Sequence, residues 1–133
     1  MSALTLRVPI RFSDIDAFNH VNHTRYLSYC EDHRMEMLAD LRKTAPDLPF
    51  LPNLVVRRVE VDYLVPAVLA DREIEVRGTT THVGTSSFRI RYELATARGV
   101  CATMDAVLVQ VDDAGVPSPL DPAYAAWLEA HRA

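Results

Sequence analysis

Thiol chemistry is scarce in this chain of 133 residues: it has two cysteines, Cys30 and Cys101, with no C-x-x-C and no framework spacing. That excludes a disulfide scaffold and predicts two buried thiols acting as small apolar side chains. Long hydrophobic runs are also missing. No stretch of about 18 apolar residues is available to span a bilayer, and the first residues alternate polar and apolar instead of forming a basic and then an apolar region. The expectation is a cytoplasmic protein with no membrane partner. No block of lysine or arginine occurs and the net charge is -4, so a nucleic-acid partner is excluded as well. G-x-S-x-G, a Gly-rich phosphate loop, H-E-x-x-H and G-x-G-x-x-G are all absent, which removes the motifs of the common serine hydrolases, nucleotide binders and zinc proteases.

What remains is ordinary globular composition, 49% apolar and 24% charged, with no repeat and no composition break. It predicts a single domain over residues 1–133. Leu4, Leu6, Val8, Ile10 and Phe12 alternate with polar neighbours, the period of a half-buried strand, and Pro9 assigns that strand to an edge. On a helical wheel Tyr26, Leu27, Cys30, Met37, Leu38 and Leu41 share a stripe roughly 120° wide. This predicts a long amphipathic helix ending near Thr44, because Pro46 disfavours helical backbone at Ala45. Arg34 falls within the apolar stripe, where an unpaired charge is costly, and Glu31 one turn back is its expected partner.

Beyond the proline-rich "APDLPFLPN" the pattern has period two. "VVRRVEVDYLV" places Val55, Val59, Val61 and Tyr63 on one face; "REIEVRGTTTHV" and "SSFRIRYEL" follow. "VCATMDAVLVQV" is apolar on both faces and is expected in the middle of the sheet. Turn signals at Gly84, Gly99 and Gly115 suggest an antiparallel meander. Asp121 and Pro122 open a short last helix with Tyr124, Trp127, Leu128 and His131. The predicted fold class is α+β, a long central helix wrapped by an antiparallel sheet of about five strands, with a short C-terminal helix.

Chemistry concentrates in "RFSDIDAFNHVNHTRYLSYCEDHR", where Asp14, Asp16, His20, Asn22 and His23 lie between a strand end and the first turn of the long helix. Helix N-termini expose unpaired N–H groups able to stabilise an oxyanion, and a facing carboxylate can act as base or nucleophile. Taken one at a time, Asp14, Asn19 and Asn22 are better explained by capping or turn formation. His20 and His23 could join the two aspartates around a metal, but nothing in their spacing specifies one, so no metal is expected. His33 and His131 are assigned exposed or partner-facing positions with no chemical role, and His82 stands beside a turn.

The same segment closely resembles the signature of the hotdog-fold acyl-CoA thioesterases of the 4-hydroxybenzoyl-CoA thioesterase type: a D-x-D strand end, an H-V-N turn and a helix opening Y-x-x-Y/F-x-E-x-x-R. "VEVDYLVPAVLADREIEVRGTTTHVGTSSFRIRYEL" is similar to the family's later strands and its Gly-x-Ser-Ser hairpin. The resemblance implies a hotdog fold, subunits paired through a continuous sheet as a dimer or tetramer, and active sites at the subunit interface. It implies Asp16 as the catalytic carboxylate, the backbone N–H of His23 as oxyanion donor, and His20 and Asn22 as groups orienting the loop or the water.

The same likeness puts Gly84, Thr85, Ser86 and Ser87, with Arg89 and Arg91, beside the partner's site near the pantetheine arm and nucleotide of coenzyme A. Those arginines are equally well explained as a solvated strand face. Another hotdog branch carries its carboxylate within the central helix, where Glu31 is the nearest candidate, although pairing with Arg34 favours a structural role for it. Phe18, Phe50, Leu51 and Tyr63 are expected to line an apolar pocket. The implied substrate is an acyl-CoA, whose coenzyme A moiety arrives with the substrate, so no cofactor is expected. Two alternatives share the fold: a non-catalytic acyl-CoA or acyl-carrier binding module, and an enoyl-CoA hydratase, against which the absence of H-x-D after His20 or His23 counts.

Overall fold

A computed structural model describes residues 3–47 and 53–133; Phe50 and Leu51, named above as pocket residues, lie outside the described residues. The elements are β1 (Ala3–Pro9), α1 (Arg25–Thr44), β2 (Leu54–Tyr63), β3 (Glu73–Val83), β4 (Ser87–Thr96), β5 (Gly99–Gln110) and α2 (Pro122–Ala130), with 3-10 turns at Phe12–Asp14 and Leu69–Asp71. The five strands form one antiparallel sheet in the order β1-β3-β4-β5-β2. The expected α+β architecture is present. No described helix is long and apolar enough to cross a membrane.

Alternation decides which face of the sheet is covered. Ile74 and Val76 of β3, Phe88, Ile90, Tyr92 and Leu94 of β4, and Ala102, Met104, Ala106 and Leu108 of β5 are buried against α1. The residues between them lie on the other face, where Arg89 and Glu93 are exposed and Arg91 and Asp105 half-buried. Each fully buried large apolar side chain contributes about 1.5–3 kcal/mol, so this single layer is the main source of stability. Asp121 caps α2 by accepting the Ala123 N–H at 2.9 Å, with Pro122 in the first turn. Tyr124, Trp127 and Leu128 then extend the core.

Pro9 does lie on an edge strand, since β1 pairs with β3 alone. Other expectations are corrected. The meander holds for β3, β4 and β5, but β2 pairs with β5 instead of β3: the connection 64–72 is too long for a hairpin turn and carries β3 to the other half of the sheet. In consequence β4 is the middle strand and β2 the second edge, while the outward residues of β5 are only half-buried. Phe12 does not continue the first strand. The chain leaves the sheet after Ile10, whose N–H bonds the Arg72 carbonyl, and Phe12 is 82% exposed in a 3-10 turn.

Leu27 is exposed and Tyr29 and His33 are buried, so the covered arc of α1 is shifted toward β1 and widened to about 180°. The sheet curls around more of the helix than a flat layer would. His33, assigned above to an exposed or partner-facing position, has 0% exposure and fits over Gly78, where the missing side chain leaves room for the ring. Its Nε2–H donates to the Leu4 carbonyl at 2.8 Å, and Nδ1 has no partner among the described residues. Burial, opposed by that hydrogen bond and reinforced by Arg34, lowers the His33 pKa. Arg34 is 9% exposed, and its guanidinium donates to the Tyr92 hydroxyl at 3.1 Å. Glu31, its expected partner, stays exposed and forms no ion pair with it; the aromatic hydroxyl from β4 reaches the guanidinium first.

Candidate functional site

The two aspartates of D-x-D have opposite surroundings. Asp14 is buried and accepts the Arg11 N–H at 3.0 Å and the Tyr29 hydroxyl at 2.8 Å, with the Arg25 guanidinium 3.6 Å away. Burial, and then Asp14 itself, raise the Tyr29 pKa, which keeps that hydroxyl a donor. Asp14 therefore fixes the approach of the loop to α1. Asp16 is half-buried and no described cationic side chain pairs with it. Its Oδ1 accepts the Phe18 N–H at 2.9 Å and its Oδ2 accepts the Asn22 side-chain amide at 3.3 Å. A carboxylate held by two neutral donors keeps further lone pairs free to accept.

A tight reversal holds Asp16 in place. Ile15 bridges Val21, the Asp16 N–H bonds the His20 carbonyl at 3.0 Å, and Asn19 occupies a left-handed conformation (φ 64°) that asparagine tolerates better than most residues. Val21 then donates to the Ala67 carbonyl at 2.8 Å, while the Ala67 N–H donates to the Tyr26 hydroxyl at 3.2 Å. The loop carrying Ala67 is fastened by Arg98, which bonds Asp71 at 2.8 and 2.9 Å and the Pro66 carbonyl at 3.0 Å. Spacing gives no sign of the Ala67, Tyr63 or Arg98 contacts, because each joins segments separated by 27 residues or more.

Asn22 links the carboxylate to the helix. Its side-chain oxygen accepts the Thr24 N–H at 3.0 Å and the Thr24 hydroxyl at 2.6 Å in a tight turn just before α1, while its amide reaches Asp16. His23 is exposed between them, and among the described residues its N–H donates to no protein group. The Tyr63 hydroxyl donates to the His23 carbonyl at 2.9 Å, and the Tyr63 ring packs edge-on against Tyr26, with centroids 5.2 Å apart. Tyr63 accordingly braces the helix entrance, a contact beyond the pocket-lining role expected for it.

The remaining expected site residues are not gathered here. The His20 backbone closes the reversal, but its exposed imidazole makes no hydrogen bond to a described residue. Phe18 is 79% exposed beside Asp16. The Gly84–Ser87 turn is closed by the Gly84 N–H on the Ser87 carbonyl. It stands at the other end of the sheet, since Ser87 aligns with Val109 of β5 and Tyr63 with Ala102. Seven residues of strand separate the two ends by about 23 Å. Arg91 pairs with Asp105 across the exposed face. Among the described residues no group of three or more metal-ligating side chains gathers.

Residues 10–128 match the model of the thioesterase-like superfamily. In three dimensions the chain is similar to a predicted thioesterase from Bacillus stearothermophilus, at 27% identity and a TM-score of 0.86 over 99% of this chain and 98% of that one. It is also similar to a thioesterase from Thermus thermophilus complexed with coenzyme A and Zn, at 32% identity and a TM-score of 0.80, covering 96% and 92% of the two chains. The protein YsmA of Bacillus subtilis (strain 168) is 30% identical over 106 residues, 79% of this chain and 70% of that protein.

Proposed function

Since the chain belongs to the thioesterase-like superfamily and is a thioester hydrolase, we propose that its substrate is an acyl-CoA, cleaved to the free acid and coenzyme A with Asp16 as the reacting carboxylate. The observation that carries this reading is the Asp16–Asn22–Thr24 chain of hydrogen bonds. Among the described residues it ties a carboxylate that makes no ion pair to the start of a helix whose adjacent His23 N–H has no acceptor.

The thioester oxygen sits on the His23 N–H, where one preorganised donor is worth on the order of 3 kcal/mol in the transition state. Asp16 acts in one of two ways. As a base it takes a proton from water while the water oxygen bonds to the carbonyl carbon; the C–S bond then breaks and the proton ends on the CoA sulfur. As a nucleophile its oxygen bonds to that carbon and expels the thiolate, and water then hydrolyses the mixed anhydride and restores the carboxylate. Asn22 holds the carboxylate's direction, and His20 borders the approach of water. Phe18 and Tyr63 flank the acyl entrance.

The site is shared between two subunits. A two-fold axis beside the edge strand β2 brings the far end of one sheet to the near end of the other, so the Gly84–Ser87 turn of a second copy meets the Asp16 site and receives the pantetheine arm. The coenzyme A complex of the Thermus thioesterase supports this ligand class. Coenzyme A release from aliphatic and aromatic acyl-CoAs tests the proposal, with Asp16→Asn expected to lose at least 100-fold in kcat. No release from any substrate, or full activity in Asp16→Asn, refutes it. Stabilisation by acyl-CoA without thiol release selects a binding module, and loss of enoyl absorbance without thiol selects a hydratase. Hydrolysis in 18O water that places label in the Asp16 carboxyl identifies the nucleophilic route with water attacking the aspartyl carbonyl, since the base route never puts solvent oxygen there.

A further inference from the structure

A groove runs between α1 and the edge strand β2, formed by two adjoining cavities of about 200 and 240 Å³. Leu27, Leu38 and Val56 give it apolar walls, and Arg34 and Glu31 line both cavities. Arg34 is nine-tenths buried, yet its one hydrogen bond goes to a neutral hydroxyl and no described carboxylate pairs with it. Glu31, one turn back and exposed, is likewise unpaired among the described residues. A buried guanidinium without a counter-ion is strongly unfavourable. The groove therefore calls for a negative charge from outside the chain.

The order of residues along the groove indicates the source. Leu27, Glu31, Arg34 and Leu38 are spaced four, three and four apart, a pattern of apolar, negative, positive and apolar that is its own complement when reversed. Two such helices crossing antiparallel about a two-fold axis place Leu27 against Leu38 and Glu31 against Arg34, twice, as an interface between identical surfaces requires. The groove also adjoins β2, an unpaired sheet edge whose Val55 and Val56 are exposed. A second copy seated there covers both features at once.

We propose that this groove is a self-complementary interface in which each Arg34 receives the Glu31 carboxylate of a second copy. The inference deepens the paired assembly proposed above and rests on it, but not on the hydrolytic chemistry. Because the groove begins at Leu27 and Ser28 in the first turn of α1, the second copy also walls the side of the acyl site.

Sedimentation of the full chain, combined with far-ultraviolet circular dichroism to verify folding, provides the test. Wild type is expected to be dimeric. In a Glu31→Lys dimer each lysine faces an arginine, and in an Arg34→Glu dimer each new glutamate faces Glu31, so each variant is expected to weaken the dimer by about 100-fold or more. Mixed, the two variants regain opposite charges in both pairs, and a heterodimer of near wild-type affinity should form. If Arg34→Glu fails to fold, a cycle of Glu31→Gln, Arg34→Gln and their combination replaces it, with the double variant expected to lose no more affinity than the worse single one. A monomeric wild type overturns both this interface and the β2 pairing. A Glu31→Lys dimer as tight as wild type, folded variants that do not associate on mixing, or additive losses in the glutamine cycle overturn this interface alone. A dimer that releases no coenzyme A sinks the proposed reaction and leaves the interface standing.

Discussion

Replacing Gly78 by alanine drives a methyl group into the His33 ring. An added Cβ lies 2.3 Å from Cε1, 2.7 Å from Nε2 and 2.9 Å from Nδ1, where ordinary contact needs more than 3.4 Å. The ring cannot swing aside cheaply: it is fully buried, fixed by the 2.8 Å bond to the Leu4 carbonyl and packed edge-on against Tyr92 at 5.3 Å. Overpacking of this kind costs about 1–3 kcal/mol, and displacing the ring forfeits a hydrogen bond worth about 1 kcal/mol. With an unfolding entropy near 2.1 cal/mol/K per residue, a total of about 2–4 kcal/mol lowers Tm by roughly 7–14 °C. Thermal unfolding of wild type, Gly78→Ala and Gly78→Ala/His33→Ala, at one protein concentration, reads this directly. The double variant should melt above Gly78→Ala, because the smaller side chain relieves the clash. A Gly78→Ala protein melting within a degree of wild type refutes the steric argument.

Other outcomes follow from the same contacts. Because burial lowers the His33 pKa below its ordinary 6.5, the folded state prefers the neutral ring. Its contribution is complete above that value and declines as pH falls below it, so urea midpoints of wild type should drop between pH 7 and 5 more than those of His33→Gln. The two aspartates should separate stability from activity. Asp14→Ala strands the Tyr29 hydroxyl and the Arg11 N–H and should cost about 2–4 kcal/mol in urea unfolding, whereas Asp16→Asn should stay within about 0.5 kcal/mol of wild type. Tyr63→Phe removes the brace on the His23 carbonyl; kcat should fall about 5-fold with KM unchanged, the equivalent of about 1 kcal/mol in the transition state. A rise in KM alone would instead make Tyr63 a substrate contact.

Periodicity makes the elements legible because faces are written locally. Helix α1 ends at Thr44 where Pro46 places its end, and β3, β4 and α2 follow their alternation and cap signals. Partners are not written locally. Glu31 is the near choice for Arg34, yet Tyr92, 58 residues away, takes the guanidinium. The burial of His33 depends on a hollow at Gly78 across the core, which no helical wheel displays. Strand order is hidden for the same reason, since β2 has the alternation of a strand but nothing in it indicates whether β3 or β5 lies alongside. At the entrance, D-x-D and the H-V-N turn single out one segment, and the structure brings Asp16 and Asn22 of that segment into hydrogen-bond contact. The division of labour between a buried, triply contacted Asp14 and an open Asp16 emerges only with their surroundings.

The strand order also governs how the chain can fold as it is synthesised. Both edge strands precede every partner they have: β1 waits for β3, and β2 waits for β5. A nascent chain that has emerged only through Tyr63 holds two strands with nothing to pair with and an amphipathic helix with its apolar arc uncovered. Pairing between neighbours in sequence is available only among the three consecutive strands that emerge afterwards, and the Asp16 loop, fastened through Val21 to Ala67, has that anchor only once the later half has emerged. A ribosome stalled before β5 clears the exit tunnel therefore presents a protease-sensitive chain, however long its first half has been free.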